Sequence, residues 1–343
     1  MVDAIIKEME IRKEELRVPV ETIYLGGGTP SILDPSMVDR LIQSVYKNYN
    51  VIPDPEITLE ANPDDITSTK AHEWKSMGIN RFSIGIQSFS NQHLQWMNRA
   101  HNAAQSIGCI EIIRNAGFHN FSIDLIYGTP GQSIADWQKD LEQAIALQIP
   151  HLSCYALTVE KETPLFHLIQ KAEKENISSD LQAEEFQLLV SKTTSAGYRH
   201  YEISNFALPG MESKHNSAYW KGKPYLGMGP SAHSFHDNSR SWNISNNIKY
   251  IASIENNKRN FESEQLTEMD LFNEYIMTNL RLDEGISAEV IKDKWGIDHV
   301  HSIESKLIRF EQSQTVIKTP RGWKLTDKGK FFADGIAADL FRV

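Results

Sequence analysis

Hydrophobic and polar positions follow two rhythms along the first two thirds of the chain. Short runs rich in apolar and β-branched residues start at 21, 56, 81, 121 and 151: Glu21–Leu25, Glu56–Glu60, Arg81–Ile86, Phe121–Ile126 and His151–Ala156. Such runs read as strands. Between them lie stretches with helical apolar periodicity, such as Met37–Tyr46 and Trp137–Ala146, the second preceded by Ser133 as a candidate cap. Strand followed by helix, repeated at this spacing, predicts βα units around a parallel sheet, either a barrel or a doubly wound sheet. The chain opens on an amphipathic helix over 2–16, with Val2, Ile5, Ile6, Met9 and Leu16 on or near one face. In a βα repeat a helix follows a strand, so either this helix is an addition or a strand belongs ahead of it.

Residues 163–198 read as polar helix and Tyr201–Phe206 as one further strand. Residues 208–240 are rich in Gly, Pro, Ser and His with little periodicity, which predicts a long functional loop. Helical periodicity resumes near Thr267 and continues through Ser287–Trp295 and His301–Phe310. Thr315–Leu325 then reads as a hairpin turning at Pro320-Arg321-Gly322, before a last helix. Helices followed by a β-wing predict a winged-helix-like α+β unit. The expected organisation is a βα barrel over 1–207, a connecting segment over 208–264 and the winged-helix-like unit over 265–343.

Composition narrows the classes. With 343 residues, 40% hydrophobic and 23% charged, the chain has the balance of a soluble globular protein. Its net charge of −10 argues against nucleic acid as the main partner. Lys318, Arg321, Lys324, Lys328 and Lys330 read as a solvated face, since acidic side chains outnumber basic ones over 265–343. The start is too charged for a signal peptide, and no apolar run approaches a membrane span. Two cysteines, Cys109 and Cys154, exclude a disulfide framework and any cysteine-only metal site, and fit a reducing cytoplasm. Both read as buried structural thiols.

In parallel βα folds ligands bind at the carboxyl ends of the strands. Those ends carry Gly26-Gly27-Gly28-Thr29-Pro30, Glu60-Ala-Asn-Pro63, Gln87-Ser-Phe89, Asp124 with Tyr127-Gly-Thr-Pro130, and Tyr155-Ala156-Leu-Thr158. Glycines let a backbone approach a ligand, Glu60 and Asp124 accept hydrogen bonds, Gln87 does both, and Arg99 can clamp a carboxylate. Asp124 is costly inside an apolar strand without a partner. The set suits a small molecule with an amino-acid end and a sugar end. A non-radical barrel enzyme using Glu60 and Asp124 as acid and base is the alternative. A second cluster joins His215, Tyr219 and Trp220 to Met228, His233 and His236. Imidazole and thioether ligate haem iron and aromatic rings pack a macrocycle; zinc is the rival, and a satisfied surface or core histidine is the bland reading.

At these motifs the chain resembles the radical S-adenosylmethionine (SAM) proteins of the oxygen-independent coproporphyrinogen oxidase family, and within it the HemW-type haem chaperones. The resemblance rests on Gly26–Pro30, Glu60–Pro63, Gly85–Phe89, Asn98-Arg99, Asp124–Gly128, Tyr201–Phe206, His215-Asn-Ser-Ala-Tyr-Trp220 and Leu280-Arg-Leu282. It implies an incomplete (β/α)6 barrel lacking its first strand, with a C-terminal winged-helix-like α+β domain. It implies that Gly27, Gly28, Thr29, Glu60, Gln87, Arg99, Asp124 and Ala156 hold SAM. It implies that His215, with Tyr219 and Trp220, binds haem for delivery to acceptor haem proteins, some of them membrane-associated. Oxidative decarboxylation of coproporphyrinogen III is the alternative activity. The family's Cys-x3-Cys-x2-Cys motif, which holds a [4Fe–4S] cluster, has no counterpart here, so radical catalysis is not expected. Truncation ahead of Met1 is the expected reason.

Overall fold

A computed structural model describes residues 1–161, 163–171 and 174–342. Helix α1 (Val2–Ile11) leads into β1 (Val20–Leu25), α2 (Pro35–Asn48), β2 (Val51–Ala61), α3 (Ser68–Ser76), β3 (Arg81–Gln87), α4 (Asn91–Trp96), α5 (Ala103–Asn115), β4 (Phe121–Tyr127), α6 (Ile134–Ala146) and β5 (His151–Ala156). Next come α7 (Pro164–Gln170), α8 (Ser179–Ser195), β6 (Arg199–Glu202) and β7 (Asn205–Ala207). The sheet order is β1-β2-β3-β4-β5-β7-β6, parallel through β5 and antiparallel beyond it, and it curls into a half-barrel. The expected α/β class and incomplete barrel are thus present.

Each strand of the repeat forms where the apolar runs place it, because one face of every strand is apolar. Ile23, Ile57, Leu59, Phe82, Ile84, Phe121, Ile123, Leu125, Leu152 and Cys154 pack outward on Val38, Ile42, Trp74, Ile110, Ile113, Trp137 and Leu141 of the helices. Ser133 caps α6 through a reciprocal capping box with Asp136. Helix α1 is shorter than the periodicity predicts and ends at Ile11, with a turn over 12–15.

Two expectations change. Tyr201–Phe206 is not one strand but a hairpin, β6 and β7, reversing at Ile203-Ser204. Residues 208–240 are not a plain loop. They contain α9 (Lys214–Trp220), capped by Ser213, and β8 (His233–His236), which joins β9 (Ser239–Asn243) and β10 (Phe261–Gln265) around α10 (Asn247–Glu255). Seven- and four-residue elements are too short to register as periodicity.

The C-terminal unit is winged-helix-like. Helix α11 (Glu268–Leu280) precedes β11 (Ile286–Ser287), α12 (Ala288–Trp295), α13 (Ile297–Gln312), the hairpin β12 (Val316–Thr319) and β13 (Gly322–Leu325), then α14 (Asp327–Lys330) and α15 (Ala333–Leu340). Its three strands order as β11-β13-β12, around a separate core that includes Phe272, Ile276, Ile291, Leu307 and Trp323. The unit is pinned to the barrel at the hairpin reversal. Ile203 donates its N–H to the Arg281 carbonyl at 3.1 Å, and Arg281 Nε donates to Glu202 at 3.0 Å.

Candidate functional site

Strand alternation that turns apolar residues toward the helices turns the others inward, and almost all of those are polar. Parallel register sets Thr22 beside Glu56, Tyr24 beside Thr58, Glu60 beside Ser83, and Asp124 beside Ser153. Arg81, Ser122 and His151 complete a hydrophilic inner face. A barrel with a polar interior is built to hold a ligand or a polar element rather than a packed core.

The strand-end residues converge. Glu60 Oε1 accepts from the Tyr24 hydroxyl at 2.7 Å, and Oε2 accepts from the Gly27 N–H at 3.0 Å. A Cβ at Gly26 would lie 2.5 Å from Tyr24 and 2.9 Å from Glu60, so only glycine there admits that pair. Gly27 and Gly28 have φ of +80° and +71° and open space around them, and Thr29 follows half-buried at the turn Pro30–Ile32. Gln87 sits at a register break in β3 with φ +67°, a conformation that non-glycine residues adopt at a cost and that clusters at functional sites. Arg99 Nη2 donates to Asn62 at 2.7 Å and approaches the Gly85 carbonyl at 3.4 Å, while its buried Nε has no partner. Gly85 is hemmed in by Gln87, Arg99 and Asn62, which ties these three side chains to one corner. Ala156 shares the parity of Leu152 and Cys154 and packs against the outer core.

Asp124 is mid-strand on the inner face. Burial, then the negative charge of Glu60, pushes its carboxyl up to about 7, against the pull of Ser153, Ser83 and Arg81. An unfolded aspartate ionises near ~4, so the folded protein holds this proton where the unfolded chain does not. The stability that Asp124 contributes is therefore fully present below about 4, falls as pH rises through that window and is lost above about 7. Asp124→Asn should melt above the wild-type protein at pH 8, the gap closing by pH 4 in thermal denaturation. A variant melting lower at pH 8 would mean that the carboxylate is a stabilising charge.

The His215 motif does not lie on an exposed loop. Buried Glu56 accepts the backbone N–H groups of His215 and Lys214 at 2.9 and 3.2 Å, fixing α9 against β2. His215 Nδ1 pairs with Thr22 Oγ1 at 2.8 Å, and Nε2 with the Tyr219 hydroxyl at 3.1 Å. Its ring stacks on Tyr24, centroids 4.6 Å apart and planes 16° from parallel. Burial lowers the imidazole to about 4, so it is neutral at pH 7. Tyr219 is exposed and meets Tyr225 edge-on. The Trp220 ring lies 5.1 Å from the guanidinium of Arg281, which Glu202 holds. Three motifs distant in sequence therefore meet at one junction. His233 instead stacks on Trp242, and Met228 lies against Arg12.

Sequence reasoning missed Tyr24 and Glu56, and named Gly26 and Asn62 only as members of strand-end motifs. Period-two alternation in β1 and β2 was the available signal, since it puts Thr22, Tyr24, Glu56 and Glu60 on one face.

A half-barrel with a Gly-rich first turn and polar strand ends defines the radical SAM class, and residues 2–144 match the Radical SAM superfamily. Residues 266–332 match the HemN C-terminal domain. Heme chaperone HemW of Lactococcus lactis is 31% identical over 98% of this chain and 90% of its own length. Heme chaperone HemW of Bacillus subtilis is 31% identical over 92% of this chain and 84% of its own. Coproporphyrinogen III oxidase (HemN) from Escherichia coli superposes with a TM-score of 0.83 over 99% of this chain and 82% of its own, at 22% identity, a likeness of fold. The chain belongs to the HemW family of the radical SAM superfamily.

Proposed function

We propose that this protein is a haem chaperone that binds haem through α9 and passes it to apo-acceptor proteins in the cytoplasm. The observation that carries this is kinship over nearly the whole chain with proteins named heme chaperones. The His215 environment supports it: a half-buried, neutral imidazole is the ligating form. Nε2, held only by an exposed tyrosine hydroxyl, is the nitrogen that iron would take. Trp220 and Tyr219 then flank the macrocycle.

The strand-end residues fit SAM. Glu60 and the Arg99 corner suit the amino and carboxylate groups, Gly27, Gly28 and Thr29 leave room at the methionine end, and Asp124 with Gln87 suits the ribose. Ala156 is the weakest member of the set, since it packs on the outer core. The residues present do not fit a [4Fe–4S] cluster. Cys109 and Cys154 are both buried, and burial raises the Cys109 thiol to about 12 and Cys154 further, whereas cluster ligation needs thiolates. No radical step is assigned to these residues.

The test is a haemin titration followed by Soret absorbance. A saturable 1:1 shift, then transfer of the chromophore to an apo-haem protein separated by chromatography, is the expected result. A linear, unsaturated response would overturn the reading.

A further inference from the structure

The pocket at the strand ends and the His215 helix share one side chain. Tyr24 gives its hydroxyl to Glu60 at 2.7 Å and its ring to His215 at 4.6 Å. A Cβ at Gly26 would collide with both Tyr24 and Glu60, so glycine leaves the space in which the pair forms. Thr22, two residues back on the same face of β1, holds the other edge of His215 at 2.8 Å. The imidazole is thus clamped between β1 and Tyr219, and the clamp is anchored on the carboxylate that faces the pocket.

We propose that Tyr24 couples the two sites: an ammonium-bearing ligand on Glu60 displaces the Tyr24 hydroxyl, releases the ring from His215 and frees that histidine for iron. This deepens, and rests on, the haem-binding and SAM-site readings above. Both partners of Tyr24 are chemically specific to the coupling. Glu60 Oε1 is an acceptor that a primary ammonium takes in preference to a phenol, because the ammonium adds attraction between two full charges that the neutral Tyr24 hydroxyl lacks. While the Tyr24 ring stacks on it and Thr22 holds Nδ1, the imidazole is fixed in one orientation, and release of Tyr24 lets it turn Nε2 toward iron. The coupling is reciprocal by thermodynamic necessity, so haem tightens the pocket ligand by the factor with which that ligand tightens haem.

The experiment titrates haemin into the full chain with and without SAM, SAM binding itself being measured by calorimetry. SAM is expected to tighten haemin about fivefold or more, the lower range of measured couplings. Tyr24→Phe keeps the ring and loses the hydroxyl; it is expected to bind haemin as tightly without SAM as the wild type does with it, and to ignore added SAM. Glu60→Ala removes the anchor instead and should give the same gain. An unchanged or weakened haemin affinity with SAM bound overturns the proposal, as does a full SAM response in Tyr24→Phe. Absence of SAM binding also overturns it while leaving haem binding by His215 standing. Absence of haemin binding to the wild type overturns the haem reading itself.

Discussion

Haemin will bind His215→Ala on the order of a hundredfold more weakly than the wild type, with the Soret maximum displaced toward that of free haemin. Even the outer-shell partners of a metal-bound histidine typically cost 10–100-fold when removed, and this substitution removes the ligand. The variant loses a stack on Tyr24 and hydrogen bonds to Thr22 and Tyr219, so its folding must be checked by melting. Tyr219→Phe separates ligation from stability. It deletes the hydroxyl that occupies Nε2 and leaves the aromatic surface, and it should bind haemin at least as tightly as the wild type. The pH profile discriminates further. A histidine lowered to about 4 stays neutral, and so ligating, down to pH 5, and binding falls only as pH drops through about 4. An exposed histidine titrates near ~6.5 and would lose haemin below pH 6. An unchanged titration in His215→Ala would remove the site assignment.

Glu8→Ala will destabilise the protein by about 3–5 kcal/mol, the usual cost of stripping one partner from a buried ion pair. Glu8 and Arg12 are both wholly buried. One Glu8 oxygen accepts from Arg12 at 2.9 Å and Asn243 at 2.7 Å, the other from the Gly229 N–H at 2.8 Å and Tyr250 at 2.6 Å. Arg12 also donates to Gly227 O and Ser234. Alanine at 8 leaves Glu15, at 2.9 Å, as the remaining carboxylate on Arg12, leaves Tyr250 without its acceptor, and removes the bonds that tie α1 to Gly229 and Asn243. Urea midpoints measure the loss. The double substitution Glu8→Leu with Arg12→Met should recover part of it, since an apolar pair carries no desolvation cost. A loss below about 1 kcal/mol would mean that water reaches this cluster.

Glu8 also marks where sequence reading ends. A Glu and an Arg four apart on a helix read, by spacing, as a solvated pair. The apolar face of α1 predicts the helix and is silent about the polar residues that β8, β9 and α10 later cover. Similarly, His215 in a Gly- and Ser-rich stretch reads as part of a loop. Its place against β1 is set by Glu56, a residue 159 positions away that looks like the mere start of an apolar run.

What the sequence determined by itself is what short-range periodicity and motif order carry: the βα repeat, the cap at Ser133, the wing hairpin, the family, and Glu60, Gln87, Arg99 and Asp124 as polar residues on or just after the strands. Those features depend on neighbours within a turn or a strand, so they are written locally. The tertiary structure alone decided the polar inner face, the Tyr24–Glu60 pair for which Gly26 leaves room, the buried Glu8–Arg12 cluster, and the docking of α9 against β1 and β2. Each depends on which strand lies beside which and in what register. Those pairings join residues tens to hundreds of positions apart, and no local pattern records them.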